Sequence, residues 1–492
     1  AVYIELAKEV LAEGKSVLIL VPEIGLTAQI TDTLRQHFDS LILTHSKQTE
    51  SERHQLWRKV LTQDQPSVIV GPRSVLFMPL ESIGLIVIDE AHEASFKQDQ
   101  SPRYSALRAA STLAKLHQAR LILGSATPPV SEVYLAEQTN RPIISLPKPA
   151  QTVRKPTIIS VDMTKRDNFK THRFFSDTFI KAVRDTLALN KQVLVFHNRR
   201  GSASTTHCNT CGWQAGCPHC FLPLTLHIDH HQLRCHICGF SSTIPTSCPS
   251  CGGVDIIHKG IGTKLVESEL KKIFPGQATM RFDADSSAES SLERSYEKLY
   301  SGEIKLIIGT QVIAKGLDLP HLKMVGIVQA DAGLSLPDYS SSERTFQLIA
   351  QAVGRVGRND QDTTVIVQSY QPTHPAIVSG TSQDYATFYN YTLKERKRGE
   401  FPPYRFLLKL TCSYKTESAA VRNATTLAKT IRQHVPSAVM ILGPTPAFYE
   451  RQRDSYRWQL VIKSPNRQVL LDLLQYVPST HWQTDIDPMS LL

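Results

Sequence analysis

The chain has 492 residues, enough for several compact units that each bury a core. Its 55 basic and 45 acidic side chains leave +10, or about +6 if eight cysteines act as thiolates around two dications, so charge supports a polyanionic partner without demanding one. No run approaches the roughly 18 consecutive apolar residues of a membrane helix and no signal-peptide pattern opens the chain, so a cytoplasmic protein with no membrane partner is expected.

Ala1-Val2-Tyr3-Ile4-Glu5-Leu6 already has helical apolar spacing, and the expectation is a fragment that begins inside a helix. Residues 1–145 alternate helical stretches with apolar runs at 17–21, 68–70, 85–88 and 121–123. Runs that are apolar at every position suit strands buried on both faces, which predicts a doubly wound α/β lobe with crossover helices. A proline-rich basic stretch at 146–156 reads as an extended linker. A second set of strands opens at 193–196 and resumes at 306–308, 325–328 and 365–367, so the second lobe occupies 146–200 and 258–398 around an insertion at 201–257. After Phe401-Pro402-Pro403-Tyr404, strands near 405–412 and 457–463 and helices near 416–434 and 465–476 predict a small α+β domain over 399–492.

Asp89-Glu90-Ala91-His92 follows an apolar strand, at the carboxyl end where open α/β sheets bind ligands. An aspartate there can hold Mg²⁺, and the adjacent glutamate can orient a water that attacks a γ-phosphate. Alone, the tetrapeptide is as readily a surface turn. Its neighbours decide: Gly124-Ser125-Ala126-Thr127-Pro128 follows the next strand, and Gln351-Ala352-Val353-Gly354-Arg355-Val356-Gly357-Arg358 lies in the second lobe. Arg355 and Arg358 are three residues apart, so on a helix they share one face; the bland alternative is a solvated basic surface.

Eight of the nine cysteines form four Cys-x2-Cys pairs between residues 208 and 251. Each pair sets two thiolates on one tight turn, and two turns complete a tetrahedral zinc site. Alternation of Leu222, Leu224, Leu226 and Ile228 predicts a hairpin between the middle pairs. That nests an inner site of Cys217, Cys220, Cys235 and Cys238 within an outer site of Cys208, Cys211, Cys248 and Cys251, pairing of consecutive turns being the alternative. Four thiolates leave no open position, so both zinc ions are expected to be structural. His207, His219, His227, His230, His231 and His236 are read as hairpin or surface residues rather than ligands.

The ordered motifs, joined by 21–27, 71–74, 196–201 and 309–318, resemble those of superfamily 2 helicases, which implies two RecA-like parallel-sheet lobes. With the cysteine array inserted just after Arg199-Arg200-Gly201, and with 443–447 and 456–459 near the end, the chain is similar to the primosomal protein N-prime (PriA) family of bacterial replication restart helicases. The resemblance implies ATP with Mg²⁺ and two Zn²⁺ as cofactors. It implies catalytic roles for Asp89, Glu90, His92, Gln351, Arg355 and Arg358, and nucleotide contacts from Asp89, Gly316, Asp318, Arg355 and Arg358. Ser125 and Thr127 would relay nucleotide state, and Phe96, Lys97, Arg103 and Tyr104 would form an aromatic DNA-binding loop. That loop departs from the family pattern at Ser101-Pro102 and in lacking a histidine after Tyr104.

The family reading further implies 3′ to 5′ unwinding of abandoned or stalled forks and primosome assembly that reloads the replicative helicase. Expected partners are forked, single-stranded and duplex DNA, single-stranded DNA-binding protein and other primosome proteins. The family's phosphate-cradling glycine loop, DNA 3′-end-binding domain and winged helix have no counterpart in this sequence, so they are expected upstream of Ala1. The rival reading is an ATPase-deficient DNA-binding scaffold that recruits primosome partners; Asp89, Glu90, Arg355 and Arg358 weigh against it.

Overall fold

The computed structural model describes residues 2–22, 33–45, 48–146, 154–197, 206–257, 262–282, 295–310, 319–356, 362–452 and 454–492. It divides into two compact units, Ala1–Val133 and Tyr134–Leu492.

The first unit is built on a parallel sheet of β1 (Ser16–Leu20), β2 (Leu41–Leu43), β3 (Val68–Gly71), β4 (Ile83–Ile88) and β5 (Arg120–Leu123), ordered β2-β3-β1-β4-β5. Successive side chains of a strand leave opposite faces, which explains the unbroken apolar runs of β1, β3 and β4, buried at every position, whereas edge strand β5 is only partly buried. Val17, Ile19, Val68, Val70, Leu85 and Val87 face α1 (Val2–Ala12), which offers Ile4, Ala7 and Val10. Leu18, Leu20, Ile69, Ile86 and Ile88 face the other way, clustered with Ala106, Ala110 and Ala114. Each of these Val, Leu and Ile side chains contributes about 1.5–3 kcal/mol on full burial. The unit's other helices are α2 (Glu50–Thr62), opened by a Thr49/Glu52 capping box, α3 (Ala106–His117), which carries those three alanines, and the start of α4 (Val130–Gln138).

The second unit opens with β6 (Thr157–Asp162), α5 (Asp177–Ala188) and β7 (Gln192–Phe196). The Cys-rich segment adds β8 (His207–Cys208), β9 (Thr225–His227), β10 (Gln232–Arg234), β11 (Ser241–Thr243) and β12 (Ile256–Ile257). Then come α6 (Thr263–Ile273), β13 (Thr279–Phe282), β14 (Leu306–Gly309), β15 (Leu322–Ile327), α7 (Ser341–Val353), β16 (Thr364–Ser369), α8 (Pro375–Ser382) and α9 (Tyr385–Arg398). Six of these strands make a parallel sheet in the order β13-β14-β7-β15-β16-β6. Its core packs Val193, Val195, Leu306, Ile308 and Met324 with Phe179 and Val183 of α5 and Val266 and Leu270 of α6. The sheet is therefore a second RecA-like lobe, with the Cys-rich module inserted between β7 and β13.

The C-terminal domain is an antiparallel sheet of β17 (Phe406–Tyr414), β18 (Met440–Gln452), β19 (Ser455–Ser464) and β20 (Trp482–Ile486), ordered β18-β19-β17-β20. α10 (Glu417–His434) and α11 (Arg467–Asp472) cover one face through Leu427, Ala428, Ile431 and Leu470. β18 is unanticipated from the sequence because Gly443, Pro444 and Pro446 read as turn residues. It is an edge strand with register shifts at Leu442/Thr445 and Pro446/Arg451, where proline is tolerated. No helix among the described residues is long and apolar enough to cross a membrane.

Candidate nucleotide site and zinc centres

At the carboxyl end of β4 the chain turns sharply: Glu90 takes a left-handed φ of 50°, a conformation that costs a non-glycine residue roughly 1–2 kcal/mol. Main-chain bonds hold the turn, from Asp89 N–H to Leu20 O (2.9 Å) and from Ala91 N–H to Gly124 O (2.9 Å). Asp89 accepts a hydrogen bond from the Tyr3 hydroxyl at 3.1 Å. Burial raises the Asp89 pKa, and the Tyr3 hydroxyl and the Glu90 amide pull it part of the way back. A carboxylate desolvated in this way is stabilised by a nearby cation, which suits Mg²⁺ ligation. Tyr3 was not foreseen as a site residue, since it shows in sequence only as an apolar helix position. Its hydroxyl would lie 1.8 Å from a Cβ at position 124, so any larger residue at the start of the Gly124-Ser125-Ala126-Thr127 segment would push the Tyr3 hydroxyl away from its place beside Asp89.

His92 ties the two motifs together. Its Nδ1 lies 2.7 Å from Ser125 Oγ and 3.4 Å from Glu90 Oε2, and its Nε2 lies 3.7 Å from Glu93 Oε1. The imidazole side chain is 4% exposed, against 44% for Glu90, so the carboxylate of Glu90 faces solvent from a fixed base. Ser125 Oγ also accepts from Thr127 N–H at 3.0 Å. Glu90, His92, Ser125 and Thr127 thus form one connected polar array.

The DNA-loop expectation needs correction at Phe96 and Lys97. Phe96 is 2% exposed within the lobe core and Lys97 is 5% exposed, so that ring cannot stack on a base and that ammonium is not a surface charge here. Arg103 donates to the Asp99 carbonyl at 2.6 Å, and Tyr104 is half-buried. Tyr104 meets Phe77 edge-to-face at 5.2 Å, and Phe77 is largely exposed, so Phe77 and Tyr104 carry the aromatic surface. Arg73 clamps the loop's base, donating to Ser95 O (2.5 Å) and from Nε to Gln98 Oε1 (2.8 Å). Phe77 sits in a short 3₁₀ turn with no periodicity to announce it.

Gln351 lies on α7, which ends before Arg355. Gly354 N–H and Gln383 Nε2 both donate to Ala350 O, at 2.9 and 3.2 Å, and the helix ends at Val353. Arg355 follows in a turn, and Arg358 lies outside the described residues, as do Gly316, Asp318 and parts of the 21–27, 196–201 and 309–318 motifs. The segment entering α7 is stitched to the chain's last residues: Tyr339 donates to Pro488 O (2.7 Å), Arg344 to Met489 O (2.8 Å), and Ser490 to Asp338.

The cysteines form two nested quartets, Cys208/Cys211/Cys248/Cys251 and Cys217/Cys220/Cys235/Cys238, each with all four sulfurs within 4.8 Å of one another. Cys208–Cys251, Cys211–Cys248 and Cys217–Cys238 are separated by 3.7, 3.6 and 3.6 Å. Four sulfurs about 2.3 Å from zinc stand about 3.8 Å apart, so both quartets fit a tetrahedral ion. In the inner quartet, hydrogen bonds from Cys220, Cys235 and Cys238 pull the Cys217 thiol well below its ordinary pKa, while the same contacts push Cys220 up. A dication removes that conflict by letting all four ionise.

All four knuckles share one backbone device: the residue after the second cysteine donates its N–H to the first cysteine's carbonyl, at 2.8–3.0 Å. That residue has positive φ, and it is Gly212, Gly239 or Gly252 in three knuckles but Phe221 in the fourth. Phe221 carries the Arg398 guanidinium 3.8 Å above its ring, a contact glycine could not make.

The predicted hairpin is present, with β9, β10 and β11 antiparallel. Its inner quartet shares a core with the C-terminal domain: Cys217, Cys220, Leu224, Leu233 and Cys235 pack with Phe401, Leu407, Val461 and Leu491. Buried Lys463 donates to Gly399 O at 2.7 Å, and burial lowers its pKa to about 8 against the opposing pull of Cys220. His227, on the hairpin as expected, and His236, buried rather than on the surface, meet each other and Glu450 across this boundary. The ninth cysteine, Cys412, is buried, and burial raises its pKa to about 11.

Four family models match the chain: DEAD/DEAH box helicase at residues 1–135, PriA DNA helicase Cys-rich region domain at 217–242, helicase conserved C-terminal domain at 261–360 and primosomal protein N C-terminal domain at 397–489. Curated relatives include replication restart protein PriA of Bacillus subtilis, 35% identical over 99% of this chain and 60% of its own length. The Synechocystis protein of the same name is 36% identical over 100% of this chain and 61% of its own length. That of Treponema pallidum is 32% identical over 100% of this chain and 75% of its own. The chain thus spans about 60% of the length of the first two relatives.

Proposed function

The chain belongs to the PriA replication restart family, and from that premise we propose that it forms the motor of an ATP-dependent DNA helicase that moves 3′ to 5′, remodels stalled forks and directs primosome assembly in the cytoplasm. The observation that carries this reading is the polar array linking Glu90 through His92 to Ser125, beside the desolvated Asp89 carboxylate. In it, Asp89 would hold the Mg²⁺ that accompanies ATP. Glu90 orients the attacking water, and His92 passes the state of that carboxylate to Ser125 and Thr127. Gln351, Arg355, Arg358, Gly316 and Asp318 keep the nucleotide-contact roles that the family pattern implies. Hydrolysis of ATP by the native protein, measured with and without single-stranded DNA, tests the reading: stimulation at least ten-fold is expected, and DNA binding without turnover would favour the scaffold alternative.

Arg103, Tyr104 and Phe77 are the DNA-facing groups in this reading. Phe77→Ala is expected to weaken single-stranded DNA binding roughly five-fold or more, in line with about 1–3 kcal/mol per stacked base. Unchanged affinity in a fluorescence-anisotropy titration would remove Phe77 from the DNA surface.

Both quartets are structural zinc sites in this account. Metal analysis of the purified protein after mild chelation should return two zinc ions per chain; a value near zero contradicts the nested arrangement.

A further inference from the structure

The cluster of His227, His236 and Glu450 lies outside both cysteine quartets. His227 ends β9 of the Cys-rich module, His236 sits inside its third knuckle, and Glu450 comes from β18 of the C-terminal sheet. The two imidazoles face each other through their Nε2 atoms, 3.2 Å apart. The other nitrogen of each ring is turned outward to an oxygen: His227 Nδ1 is 3.1 Å from Glu450 Oε1, and His236 Nδ1 is 3.0 Å from the Pro446 carbonyl. The Pro446 carbonyl only accepts, so His236 carries its proton on Nδ1 and aims an Nε2 lone pair at His227, and the Glu450 carboxylate close to His227 Nδ1 favours a proton on that nitrogen too. Two lone pairs at that distance repel unless a proton or a metal ion sits between them.

We propose that His227 and His236 bind a third divalent ion of the zinc class through Nε2, oriented from behind by Glu450 and the Pro446 carbonyl. An ion about 2.0–2.1 Å from two nitrogens 3.2 Å apart subtends about 100°, close to a tetrahedral angle. Outer acceptors on both ligand rings are the usual support of metal-bound histidine and raise its basicity. Imidazole donors favour zinc, cobalt, nickel or copper over magnesium or calcium. Arg234 acts on both His236 and Glu450, so the ion shares the carboxylate with a nearby cation. With two protein nitrogens rather than four thiolates, the ion is held more weakly than either structural zinc and exchanges. Its effect is mechanical: it pins the β9 hairpin to β18, across a boundary already bridged by Gln459 Nε2 to His236 O at 2.8 Å.

The test begins with protein treated with a mild chelator, which leaves the thiolate-bound zinc in place, and titrates Co²⁺ into it. Wild type takes up one further equivalent, with d–d absorption and no new thiolate-to-metal charge-transfer band. His227→Gln loses that equivalent, Glu450→Gln binds it about 10- to 100-fold more weakly, and both keep the two tight zinc ions. Absence of a further equivalent in wild type, or one that persists unchanged in both variants, overturns the proposal and leaves a shared proton between the rings.

Discussion

Replacing Glu90 with glutamine in the native protein is expected to lower ATP turnover by about 10²- to 10⁴-fold and to stop strand separation, while DNA affinity stays within a few-fold of wild type. The size of the effect follows from geometry. Glu90 is held in a left-handed conformation at the end of β4, with its carboxylate 44% exposed and its neighbour His92 buried beneath it. Glutamine preserves shape and the contact toward His92 but cannot orient water as a charged acceptor does. Steady-state ATPase and equilibrium DNA binding on the same preparation separate the two effects. Turnover retained near the wild-type rate would show that another group positions the water.

Cys220→Ser is the second large effect. It removes a ligand from the quartet whose sulfurs lie in the core shared with Phe401, Leu407, Val461 and Leu491. Structural zinc contributes about 10–16 kcal/mol in apparent binding free energy, so losing the inner ion should loosen the C-terminal sheet as well as the hairpin. Cys251→Ser, in an exposed corner of the outer quartet, is expected to release one zinc with a local effect. Hydrogen exchange distinguishes them: β18 and β19 lose protection in Cys220→Ser and keep it in Cys251→Ser. Equal protection of β18 and β19 in both variants would mean that the C-terminal sheet does not depend on the inner ion.

The buried parallel strands were legible because burial on both faces writes an unbroken apolar run, and the zinc quartets because a Cys-x2-Cys pair has few other uses. β2, β6, β13 and β18, all at sheet edges, were not legible for physical reasons. β6 is an edge strand of its sheet with only Val161 buried, and β18 tolerates its prolines because an edge strand needs fewer donors. Phe96 illustrates a different limit. An aromatic beside a lysine suggests base stacking, yet the 3₁₀ turn at Ala94–Phe96 points this ring into the core, and no local pattern records that direction. Tyr3 and the His227–His236–Glu450 cluster depend on partners remote in sequence, so only the fold brings them together.

The motor reading is tested most directly by strand displacement with the native protein, on partial duplexes that carry either a 3′ or a 5′ single-stranded arm. ATP-dependent separation is expected for the substrate with the 3′ arm, little for the one with the 5′ arm, and none with Glu90→Gln. Binding to both substrates with no ATP-dependent separation of either would contradict it.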